Sequence, residues 1–225
     1  MLVLSLFPGA DLFGMAFEEC GFCVVRGPEL LLGGDIRNWH AIRGKFDGVI
    51  GGPPCQTFSD AVIGHEPSHG NLIPEFERIV EEAAPLWFVM ENVAAAPAPR
   101  GAIWSEVIDA WECGSSQHRN RRFSSNLTLD VKRIPLEERH PDPWPTVLAT
   151  EFKYSKNSKD RRRAGRKVGR KMTMEEVNLA MGLPEDFATP ALTMQMSYRV
   201  RGNGVPLELG RAIAEAVKWN GQITS

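Results

Sequence analysis

Phe46-Asp47-Gly48-Val49-Ile50-Gly51-Gly52-Pro53-Pro54-Cys55-Gln56-Thr57-Phe58-Ser59 is the stretch on which the reading of this chain turns. Phe46–Ile50 is short, apolar and β-branched at its end, which predicts a buried strand. Gly51-Gly52-Pro53-Pro54 closes that strand, since such a run favours neither helix nor sheet. Cys55 therefore follows a strand end in an exposed loop, whereas structural cysteines are normally buried in regular elements. An accessible cysteine attacks only as its thiolate, so a reactive one needs a positive environment.

The pattern on either side of this loop sets the fold class. Leu2–Phe7 reads as a first strand, ended by Pro8-Gly9. Asp11 then precedes Phe13, Ala16, Phe17 and Cys20, whose spacing of three and four predicts an amphipathic helix. Phe22–Val25 is a second strand, Ile73–Ala83 a helix, and Leu86–Met90 a strand ending at Glu91-Asn92. Ile103–Trp111 is read as a further helix. Such alternation implies an α/β domain, a mostly parallel sheet with helices on both faces. Ligands of such sheets bind at the carboxyl ends of the strands. The polar and Gly/Pro clusters fall there: Pro8-Gly9, Arg26–Glu29, Gly34-Asp35, Gly51–Ser59 and Glu91-Asn92.

From Ser124 to about Arg170 regular periodicity gives way to prolines (Pro135, Pro141, Pro143, Pro145) and then to basic residues. Leu207–Trp219 returns to helical spacing and is expected to pack back on the first unit. The expected division is a catalytic and cofactor-binding domain over 1–125, completed by 196–225, with a small irregular subdomain over 126–195.

Composition bounds this reading. The chain has 225 residues, 43% hydrophobic and 24% charged, a globular composition that can bury a core without disulfides. Cys20, Cys23, Cys55 and Cys113 fit no secreted framework and point to a reducing compartment. Met1–Ala10 is apolar but lacks the basic leader of a signal peptide and is too short to span a membrane, so a cytoplasmic protein is expected. Cys20 and Cys23 have half-zinc-site spacing, but no second pair follows and Cys20 ends an amphipathic helix. His40, His65, His69, His118 and His140 do not cluster, so no metal is expected.

The net charge of −2 hides a strong asymmetry. Lys153, Lys156, Lys159, Arg161, Arg162, Arg163, Arg166, Lys167, Arg170 and Lys171 crowd one stretch with only Asp160 opposing them. That points to a local polyanion contact.

Taken together, these motifs resemble the cytosine-5 DNA methyltransferases, whose nucleophile lies in a Pro-Cys-Gln loop like Pro54-Cys55-Gln56. Leu6-Phe7-Pro8-Gly9 through Phe13 looks like the family's cofactor loop. Glu29, Asp35 in Gly34-Asp35-Ile36, Glu91-Asn92-Val93 and Gln117-x-Arg119-x-Arg121 follow in the family's order. Arg170–Phe187 and Gly202-Asn203-Gly204-Val205 resemble its last two motifs. The similarity covers nearly the whole chain except Ser124–Gly169.

The resemblance implies a Rossmann-like S-adenosylmethionine-dependent fold, with the family's target-recognition region reduced to a small irregular subdomain. It implies methyl transfer to carbon 5 of a cytosine flipped out of double-stranded DNA. Cys55 would add to carbon 6, Glu91 would serve ring nitrogen 3, and Arg121 would bind the base carbonyl. Arg119 would position the thiolate loop or a phosphate. Phe7, Pro8, Gly9, Glu29, Asp35, Ile36, Pro54, Leu72, Asn203 and Val205 would form the cofactor shell. Gln56, Ser59 and Gln117 would contact the nucleic acid, with Lys153, Lys159, Arg161, Arg162, Arg163, Arg166 and Lys167 supplying mainly phosphate contacts. A monomer that does not require a restriction partner is expected.

The sequence also departs from the family. Ala10-Asp11 and Leu12 replace common glycines, and Ser5 stands where an aspartate is frequent. Leu30 replaces a frequent aromatic residue, His69 an arginine, and Gly204 a serine. The same chemistry on tRNA, or a catalytically silent DNA-binding homologue, are the competing readings.

Overall fold

Successive strand residues point to opposite faces of a sheet, and here both faces are apolar. The computed structural model describes residues 1–30, 33–54, 70–149 and 172–222. Its strands are β1 (Leu2–Leu6), β2 (Cys23–Arg26), β3 (Gly48–Gly51), β4 (Trp87–Asn92), β5 (Trp104–Asp109) and β6 (Asn120–Ser125). They form one six-stranded sheet in the order β2-β1-β3-β4-β6-β5. Val3, Ile50 and Val89 face one side, where Phe13 and Phe17 of α1 (Leu12–Glu19) and Ile213 and Val217 of α5 (Leu207–Gln222) cover them. Leu4, Val49, Phe88 and Met90 face the other, under Phe76 and Ile79 of α2 (Ile73–Ala83). Helices therefore cover both faces, as the alternating pattern predicts. α1 and α5 cross closely at Gly210, where a Cβ would stand 2.6 Å from the Ala16 Cβ.

β1 pairs in parallel with β2 and β3, and β3 with β4. Only β6 is reversed, lying antiparallel between β4 and β5. The sheet is thus mostly parallel. The chain leaves β1 for β2 on one side and returns to β3 on the other, which opens a crevice at their carboxyl ends.

One expectation fails. Ile103–Trp111 is not a helix: Trp104–Asp109 is β5, and Ala110–Cys113 is a short 3-10 turn. The stretch has a two-residue rhythm, with Ser105 and Val107 exposed and Ile108 buried. Val107 and Ile108 are β-branched, and β6 supplies the hydrogen-bonding partner.

A third cluster joins α3 (Met174–Ala180) and α4 (Met194–Asn203) to the main unit. Val177, Ala180 and Tyr198 pack there with Val147 and with Leu12 and Ala16 of α1. Thr173 caps α3 in a capping box, and Thr193 caps α4. Buried Arg201 locks the two helices, donating to Asn178 Oδ1 (2.6 Å) and to the Phe187 carbonyl (2.9 Å). Leu129 and Val131 pack instead in the cluster under α1 and α5. Among the described residues no helix is long and apolar enough to cross a membrane.

Candidate active site

The turn after β1 is built from left-handed backbone: Phe7, Gly9 and Asp11 have φ of 55°, 57° and 54°. For a non-glycine residue this conformation costs roughly 1–2 kcal/mol, so it persists only where surroundings hold it. Asp11 is the anchor. Its buried carboxylate accepts from Ser5 Oγ (2.7 Å) and Gly14 N (3.2 Å), and Arg26 Nε lies 2.8 Å away. Burial raises its pKa, against the opposing pull of Ser5 and Arg26. Ser5 and Asp11, two separate departures from the family pattern, are thus hydrogen-bonded to one another.

Glu29, just beyond β2, accepts from Gly9 N at 2.8 Å. Asp35 caps a short 3-10 turn over Ile36–Asn38 and is paired with Arg37 (Nη2–Oδ2, 2.7 Å). Arg78 of α2 ties this segment down by donating to the carbonyls of Ile36 (2.8 Å) and Trp39 (3.0 Å). Glu82, one turn on, accepts from Ala41 N and Arg78.

These pieces enclose a cleft of about 470 Å³ at the carboxyl edge of β1, β3 and β4. All ten residues of the expected cofactor shell line it: Phe7, Pro8, Gly9, Glu29, Asp35, Ile36, Pro54, Leu72, Asn203 and Val205. Glu91 and Arg121 open onto the same space. They form an ion pair across the β4–β6 register, Arg121 Nε to Glu91 Oε1, at 2.8 Å. Gly52 stands against the other carboxylate oxygen, which would lie 2.8 Å from a Cβ there. Burial pushes the Glu91 pKa up, and the charges of Arg121 and Arg119 pull it down; the net shift is upward. Asn92 is buried and donates to the Pro53 carbonyl at 3.1 Å, fixing the chain just before Pro54.

Two further expected site residues are held in the interior. Arg119 does not line the cleft: its buried guanidinium donates to the carbonyls of Val147 (2.8 Å) and Gly202 (2.7 Å), tying β6 to the end of α4. Gln117 is fully buried, its amide donating to the Ala180 carbonyl and accepting from Val147 N (3.0 Å). That side chain holds the interior together and offers no surface to a duplex.

Cys55, Gln56 and Ser59 lie outside the described residues, as do Lys153, Lys159, Arg161, Arg162, Arg163, Arg166 and Lys167. The sequence reading gave no role to Asn92, Arg78 or Arg199, although all three border the cleft or hold its walls. Asn92 sits inside a motif already quoted. Arg199 lies one helical turn before Asn203, and that spacing is the signal that would have found it.

Comparison with known proteins adds to this geometry. The family model for C-5 cytosine-specific DNA methylase matches residues 32–100 and 132–219. The type II methyltransferase M.FnuDI of Fusobacterium nucleatum is 29% identical over 192 residues, covering 70% of this chain and 54% of that protein. M.NgoPII of Neisseria gonorrhoeae is 28% identical over 168 residues, 59% of this chain and 49% of that protein. The chain spans about half the length of these curated relatives. A candidate DNA modification methyltransferase encoded within an E. coli prophage shares the fold, with a TM-score of 0.68, 18% identity, and 97% and 98% of the two chains covered.

Proposed function

From the premise that this chain belongs to the C-5 cytosine-specific DNA methylase family, we propose that it methylates carbon 5 of cytosine in DNA. The carrying observation is the single cleft in which the Glu91–Arg121 pair meets the cofactor-type lining, beside the Pro53-Pro54 approach to Cys55.

The residues present fit S-adenosylmethionine. The cleft falls within the usual range for small-ligand sites, roughly 300–1,000 Å³. Ile36, Pro54, Leu72 and Val205 offer apolar surface for a purine, and the Glu29 carboxylate suits ribose hydroxyls. When bound, this cofactor supplies an electrophilic methyl on a sulfonium.

The chain's own groups would do the rest. Carbon 5 of cytosine is a weak nucleophile until a thiolate adds at carbon 6, so Cys55 forms that bond. Negative charge then develops on the ring. Glu91, whose burial favours the protonated form, donates a hydrogen bond to ring nitrogen 3. Arg121, already beside Glu91, binds the base carbonyl oxygen. Asn92 holds the chain at Pro53, two residues before Cys55. Loss of the carbon 5 proton allows the Cys55–carbon 6 bond to break. The base is flipped from double-stranded DNA, and residues 126–195 with their basic stretch contact the duplex. The protein works as a cytoplasmic monomer.

The test is transfer of labelled methyl to mixed-sequence duplex DNA and, in parallel, to tRNA, with wild type and Cys55→Ala. Label recovered as 5-methylcytosine in DNA and lost in the variant is the expected result. Label confined to tRNA, or label that survives Cys55→Ala, would overturn the proposal.

A further inference from the structure

Among the described residues three arginines line the cleft: Arg37, Arg121 and Arg199. Arg37 is held by Asp35, and Arg121 by Glu91. Arg199 alone of the three has neither an acidic partner nor a hydrogen bond among the described residues. It is half-buried on the cleft wall, with no counter-charge beside it among those residues. An anion entering the cleft would supply that counter-charge.

The position of Arg199 indicates which anion. It lies on α4 one turn before Asn203, so both side chains front the same space. α4 cannot drift, because Arg201 locks it to Asn178 and to the Phe187 carbonyl. The helix reaches the cleft beside the start of α1, where a Cβ on Gly204 would stand 2.8 Å from Leu12 Cδ1. Glu29 and Asp35, the groups suited to ribose and adenine, belong to the segment after β2, and Arg199 and Asn203 line the same cleft from α4. A nucleoside laid against Glu29 and Asp35 leaves the α4 wall of the cleft for its amino-acid extension.

We propose that Arg199 binds the carboxylate of the cofactor's amino-acid moiety and so selects cofactors that carry one. The inference rests on the S-adenosylmethionine reading above. The alternative anion, a phosphate of the nucleic acid, is separated from it by experiment.

The probes are S-adenosylhomocysteine, which has the carboxylate, and 5′-methylthioadenosine, which lacks the whole amino-acid end. Binding of each is measured by calorimetry to wild type, Arg199→Ala and Arg199→Lys, with melting temperatures as a check on folding. Loss of one charge-assisted contact should weaken S-adenosylhomocysteine by roughly ten- to a hundredfold in Arg199→Ala. 5′-Methylthioadenosine should bind both proteins alike, and Arg199→Lys should recover part of the loss. Equal weakening of both ligands would overturn the proposal in favour of a structural role. Unchanged ligand binding with a raised KM for DNA would overturn it in favour of a phosphate contact. If wild type binds neither ligand, the cofactor reading falls and this proposal with it.

Discussion

The Asn92 side-chain amide donates to the Pro53 carbonyl at 3.1 Å, joining the end of β4 to the chain two residues before Cys55. Both partners are buried, so the bond is shielded from competing water. Replacing Asn92 by Ala leaves the Pro53 carbonyl unsatisfied at a cost of about 1–3 kcal/mol. The chain leading into Cys55 then loses its anchor. Asn92→Ala should lower kcat by roughly a hundredfold, the scale of a 1 Å misplacement, while S-adenosylhomocysteine affinity stays within about threefold. Single-turnover methyl transfer together with calorimetry checks both halves. A kcat unchanged in the variant would remove Asn92 from the mechanism.

Glu91 should act through its proton. Burial raises its pKa, and the neighbouring Arg121 and Arg119 only partly offset this. The active, protonated form therefore prevails below the raised pKa and is lost as pH rises through it. Activity should show a descending alkaline limb from Glu91. Glu91→Gln, which cannot ionise, should lower kcat by roughly 10²–10⁴-fold and abolish the descending limb. The pH dependence of kcat for both proteins decides this. A variant that keeps the same descending limb would show that another group produces it.

Legibility from sequence was uneven, for physical reasons. β1, β3 and β4 are apolar runs buried on both faces, and their ends carry Gly, Pro and acidic residues, so strands and cleft could be read locally. β6 could not. Asn120-Arg121-Arg122-Phe123-Ser124-Ser125 is polar, and it becomes a central strand only because β4 and β5 hydrogen-bond it from both sides. Ser125 Oγ caps the Phe88 carbonyl, and Ser124 meets Ser105, contacts no short window contains. The ten residues of the expected cofactor shell stand around one cleft because a motif order carries position without geometry. Arg119 and Gln117 show what motif order leaves out. Their partners, the carbonyls of Val147, Gly202 and Ala180, lie far along the chain.

A side chain at Gly52 should push against Glu91. A Cβ there would stand 2.8 Å from Glu91 Oε2, and Arg121 holds the same carboxylate from its other oxygen. Glu91 cannot yield without stretching that ion pair. Gly52→Ala should therefore reduce kcat by roughly ten- to a hundredfold through displacement of Glu91. The loss should not add to that of Glu91→Gln, since both act on one group. Kinetics of the two single variants and the double variant test this. Full additivity would mean that Gly52 acts on some other part of the cleft.

Glu82 should stabilise the fold in a pH-dependent way that reaches the cleft wall. Burial alone would raise its pKa, but hydrogen bonds from His40, Arg78 and Ala41 N, with the Arg78 charge, bring it down to about 2. The sign follows: a carboxyl lowered on folding contributes stability that is fully present above its unfolded value near 4.5 and is lost as pH falls toward about 2. Glu82→Gln should cost about 1–2 kcal/mol at neutral pH, the scale of a hydrogen-bonded ion pair that is partly exposed. The difference from wild type should shrink steadily between pH 4.5 and about 2. Because Arg78 also holds the Ile36 and Trp39 carbonyls, the variant should weaken S-adenosylhomocysteine as well. Chemical denaturation at a series of pH values, with ligand calorimetry at neutral pH, tests both effects. A stability difference that does not vary with pH would show that the Glu82 charge contributes nothing, and that its packing alone holds the segment.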